Sequence, residues 1–67
     1  MSEWQKVFED STSHRVEIVK SVLEDMGITS VIVNKKDSSY QFGHFEIKVA
    51  PDDVLRAIKV IKEDIKF

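Results

Sequence analysis

The sequence predicts an α+β domain with the order strand-helix-strand-strand-helix. Three observations predict it. Between residues 13 and 26 apolar residues recur at three- and four-residue spacing, as on a helix with one buried stripe. From 44 to 49 they alternate, as on a strand with one buried face. Pro51 follows that alternation directly and opens a second helical pattern, because its fixed φ and missing N–H suit a first helical turn.

The first strand is expected over 4–8, an aromatic and β-branched run from Trp4 to Phe8. Asp10-Ser11-Thr12-Ser13 then offers cap-forming side chains, with Ser13 or Thr12 placed to accept from the orphan N–H groups of a helix over 13–26. Val16, Val19, Val22, Leu23 and Met26 form its apolar stripe, and Glu17, Lys20 and Glu24 lie off it at pairing distance. Gly27 stands where a left-handed residue would end the helix.

A second strand is expected over 28–34, with Val31-Ile32-Val33 apolar on both faces. A polar loop follows over 35–43, and then the third strand over 44–49. That strand directs Phe45, Ile47 and Val49 to one side and His44, Glu46 and Lys48 to the other. The second helix is expected over 52–65, its stripe made by Val54, Ile58, Ile61 and Ile65 with Leu55 and Ala57 beside it. Asp52 and Asp53 favour its positive end, and Asp52 with Arg56 and Lys59 with Glu63 fall at i,i+4.

Handedness and connection rules favour placing the third strand between the first two, antiparallel to both. The expected sheet order is 1-3-2, with both helices on one face. This is a ferredoxin-like plan whose fourth strand is missing or vestigial at Ile65-Lys66-Phe67.

Composition narrows the function classes. Sixty-seven residues make one α+β domain over 1–67. The absence of cysteine removes disulfides and thiolate zinc sites, and suits a cytoplasmic protein. A net charge of −2 argues against nucleic acid as partner, and no apolar run is long enough for a membrane helix. A core this small gains from self-association, so a homo-oligomer (dimer or trimer) or a protein partner is expected.

Catalysis is not expected. The acid pairs Glu24-Asp25, Asp52-Asp53 and Glu63-Asp64 are sequence neighbours that point about 100° apart on helices. No serine sits in a nucleophile elbow. His14 and His44 have no i,i+4 ligand partner, so no metal or cofactor is expected and any metal site would have to be assembled by tertiary structure.

Two places are left for binding. Strand parity sends Trp4, Lys6 and Phe8 to the side away from the helices, with Glu46 and Lys48, and leaves the first strand as an open edge. Lys6 would then pair with Glu46, while Trp4 and Phe8 would form an interaction surface or, with the other parity, ordinary core. The second place is Asn34-Lys35-Lys36-Asp37-Ser38-Ser39-Tyr40, which is long for a hairpin loop. Its ammonium, hydroxyl, phenol and amide groups could bind a small anionic ligand, an anionic metabolite or nucleotide. Its Asp-Ser-Ser centre could equally form a self-bonded turn.

Trp4-x-Lys6-Val7-Phe8, Glu17-Ile18-Val19-Lys20, Leu23-Glu24, Gly27-Ile28, Asp53-x-x-x-Ala57 and above all the loop from Asn34 to Tyr40 resemble a family of small bacterial proteins. It is a domain of unknown function labelled as a signal transducing protein. The resemblance implies a fold related to the nitrogen-regulatory PII proteins, which are ferredoxin-like trimers that bind nucleotides and 2-oxoglutarate. PII's long protruding loop and phosphate-binding residues have no counterpart here, so its ligands are not implied. What is implied is a non-catalytic regulatory or interaction domain, with ligand sensing at the loop as the alternative.

Overall fold

The computed structural model describes residues 3–35 and 44–65. The elements follow the expected order: β1 (Gln5–Asp10), α1 (Ser13–Asp25), β2 (Ser30–Lys35), β3 (His44–Val49), a 3-10 turn (Pro51–Asp53) and α2 (Val54–Asp64). β3 lies between β1 and β2, antiparallel to both, in the order β1-β3-β2. Among the described residues the sheet has these three strands alone, and Ile65 leaves α2 in an extended conformation.

The core forms where the two helices meet the sheet. Val16, Val19 and Leu23 of α1, Ile28, Ile47 and Val49 of the sheet region, and Ala57 and Val60 of α2 are buried together. The molecule spans 34 × 33 × 15 Å, and the short axis accommodates the sheet and one helical layer. Among the described residues no helix or strand covers the second sheet face.

Both helices differ in detail from their expected stripes. Met26 is 47 % exposed, because α1 ends before it. In α2 the buried face runs through Val54, Ala57, Val60 and Ile61, while Ile58 is exposed. Ala57 is fully buried, and its neighbour Ile58 points about 100° away from it around the helix. Arg56 pairs with Asp53 at 3.9 Å, where Asp52 was expected. Its other nitrogen donates to the Met26 carbonyl at 2.8 Å and ties the end of α1 to α2.

The ends of α1 show how local chemistry sets the chain's turns. Thr12 is the N-cap, but its hydroxyl makes no capping bond. The Asp10 carboxylate instead accepts from the Thr12 N–H at 2.8 Å, and Arg15 lies 3.7 Å from it. This backbone bond, aided by Arg15, holds the Asp10 carboxyl below the usual carboxylate range. A depressed carboxyl stabilises the fold above its unfolded-state value, roughly pH 4, and that contribution fades as pH falls through the folded-state value. Asp10→Asn should therefore lower stability near neutral pH, change it little in strong acid, and so flatten the acid side of the stability profile, as urea titrations from pH 2 to 7 would show.

At the other end Gly27 has φ +79°. The Ile28 N–H donates to the Leu23 carbonyl at 2.9 Å and the Gly27 N–H to Glu24 at 3.0 Å. These are the two bonds of a Schellman motif, and the accompanying apolar contact comes from Leu23 and Ile28, both fully buried. A Cβ at Gly27 would meet nothing within 4 Å, so the cost of adding one is purely conformational. Gly27→Ala should cost about 1 kcal/mol by urea denaturation.

Candidate functional site

Register fixes which side chains share the uncovered face. Lys6 stands opposite Lys48, which stands opposite Val31; Glu9 stands opposite Glu46, which stands opposite Val33; His44 stands opposite Lys35. The rows between them, Phe8 with Ile47 and Ile32, and Asp10 with Phe45 and Asn34, lie on the helix side.

The register of β1 shifts between Lys6 and Phe8, so that Val7 and Phe8 together oppose Ile47. This bulge corrects the expected parity. Lys6 does point outward, but Phe8 is half-buried and packs with Val7 against the core. Trp4 is 42 % exposed and lies before β1 begins. The same inserted residue turns Glu9 onto the outer face, where simple alternation from Lys6 would have put it inward.

The result is a compact charged cluster. Lys6 Nζ lies 3.2 Å from one Glu9 oxygen and 3.9 Å from one of Glu46. His44 Nε2 lies 3.8 Å from Glu9 and 3.5 Å from Glu46. The Lys6–Glu46 pair was legible in the alternation of the two strands; the convergence of Glu9 and His44 on it was not, because it depends on the bulge.

The two sheet edges differ. β1 is broken by its bulge and carries Lys6, Glu9 and Asp10, features that oppose pairing with another strand. β2 pairs with β3 without any irregularity and is uncharged from Ser30 to Asn34. Its outer-face residues Val31, which is 41 % exposed, and Val33 make the edge apolar.

Of the loop singled out in the sequence, Asn34 and Lys35 are the last residues of β2 and both are exposed. Lys36, Asp37, Ser38, Ser39 and Tyr40 lie outside the described residues. A shallow cleft of about 260 Å³ occurs elsewhere, between the end of α1 and α2, lined by Met26, Arg56, Lys59, Val60, Glu63 and Asp64. Its Arg56 is engaged in the helix tie already described.

No described helix is long and apolar enough to cross a membrane. A family model described as "Putative prokaryotic signal transducing protein" matches residues 4–64 of the chain's 67. Comparison with curated proteins and with solved structures returned no match.

Proposed function

The chain belongs to the family described as "Putative prokaryotic signal transducing protein", and from that premise we propose that it is a non-catalytic regulatory domain acting by self-association along the open edge of β2. The observation that carries this reading is the contrast between the edges: β1 is bulged and charged, whereas β2 is regular and apolar. On the side of β2 away from β3, alternate N–H and C=O groups have no strand partner among the described residues.

A second copy is the occupant that suits this edge. A two-fold axis normal to the sheet at Ile32 would set Val31 of each copy against Val33 of the other and place Ser30 opposite Asn34. Directly opposed residues then share a face, as an antiparallel ladder requires. Lys35 of one copy would meet no lysine of the other. The product is a continuous six-stranded sheet with all helices on one side. Joining two small cores in this way offsets the limited burial available to 67 residues.

Sedimentation equilibrium tests the reading. Tag-free protein at high micromolar concentration should show twice the 7.7 kDa chain mass. Val31→Lys, at an exposed position that leaves the core intact, should weaken the dimer about ten-fold, from two lost cross-strand pairs per dimer. A monomer at all concentrations, or a dimer indifferent to Val31→Lys, would remove the β2 edge as the contact.

A further inference from the structure

We propose that Glu9, His44 and Glu46 form a binding site for a divalent transition-metal ion on the uncovered sheet face. The proposal rests on different residues from the β2 edge and does not need the dimer. One ligand atom from each residue lies within 4.8 Å of the other two. Glu9 comes from β1, and His44 and Glu46 are alternate residues of β3, so two strands hold three donors over one point.

The donor set is chemically specific. Two carboxylate oxygens and one imidazole nitrogen suit Zn²⁺ or a neighbouring borderline metal better than Ca²⁺ or Mg²⁺, which take oxygen donors alone. Tetrahedral zinc with bonds near 2.1 Å places its ligands roughly 3.4 Å apart. The three donors must therefore close by roughly 1.5 Å at most. Glu9 and His44 are about half exposed and can turn, whereas Glu46, 12 % exposed, is the fixed member. Three protein ligands leave a fourth position open to water, a small anion or a group on a partner.

The position already attracts a cation. The Lys6 ammonium lies 3.2 and 3.9 Å from the two carboxylates, close to where the metal would sit. Lys6 is thus a competitor, which gives the proposal a signature opposite to that of a ligand. Removing Lys6 should tighten metal binding, while removing any of the three donors should weaken it. An ion-pair network with no metal function has no reason to show that reversal.

Background binding is limited by composition, since the chain has no cysteine and one other histidine, His14. Isothermal titration of tag-free full-length protein with ZnCl₂ should give one ion per chain. His44→Ala and Glu9→Gln should each weaken binding at least about ten-fold, Lys6→Ala should strengthen it, and His14→Ala should change nothing. Circular dichroism checks that each variant is folded, and all the substituted side chains are exposed enough to leave the core untouched. Absence of binding would overturn the proposal. So would one zinc per two chains, dependence on His14 instead of His44, or a Lys6→Ala variant that binds less well. Dilute protein below its dimerisation range keeps this result separate from that for the β2 edge.

Discussion

Leu23→Ala should destabilise the domain by about 2–5 kcal/mol, a large part of its total stability. Leu23 is fully buried, and its carbonyl and side chain both serve the Schellman turn that hands α1 over to β2. Truncating a buried leucine costs about 2–5 kcal/mol, from lost transfer energy and the cavity left behind. A domain of this length is stabilised by only about 3–10 kcal/mol in total. The substitution therefore removes much of the margin, and at the lower end all of it. Leu55→Ala is the matched control: Leu55 is 83 % exposed and its loss should cost under about 0.5 kcal/mol. Urea denaturation followed by circular dichroism measures both. Equal effects at the two positions would mean that the described core is wrong.

Phe8→Ala should cost about 2 kcal/mol, less than a fully buried phenylalanine because Phe8 is half-buried. Trp4→Ala should cost well under 1 kcal/mol, since Trp4 is exposed and precedes β1. The contrast tests the bulge. With uninterrupted alternation, Trp4, Lys6 and Phe8 would share one outer face and the two aromatic substitutions would behave alike. With Val7 inserted, Phe8 lies opposite Ile47 on the core side. A small effect at Phe8 and a large one at Trp4 would restore the simple register.

These two tests mark where the sequence was and was not legible. The element order, the strand order and the end of α1 at Gly27 followed from periodicity, connection rules and one glycine. Those features are local, or follow from a few global constraints. The bulge was invisible because Lys6-Val7-Phe8-Glu9 reads equally well as regular alternation; only pairing with β3 shows the extra residue. That single residue decided the face of every later position in β1. It accounts both for Phe8 being placed outward in the sequence reading and for the Glu9–His44–Glu46 cluster being missed. The exposed Ile58 has a different origin, because a helical stripe read from the sequence specifies its centre only to within one residue. The open edge was expected at β1; the bulge and charges there make β2 the better candidate.

Hydrogen exchange of the β2 amides, measured by NMR at low and high protein concentration, tests the proposed function most directly. In Ser30–Lys35 alternate N–H groups point away from β3. Self-association through β2 predicts that these amides exchange fast in dilute protein and slow markedly on concentration, while the amides bonded to β3 change little. If the outward β2 amides exchange at the same rate throughout, and protection appears instead on β1 or beside Leu55 and Ile58 of α2, the account is contradicted.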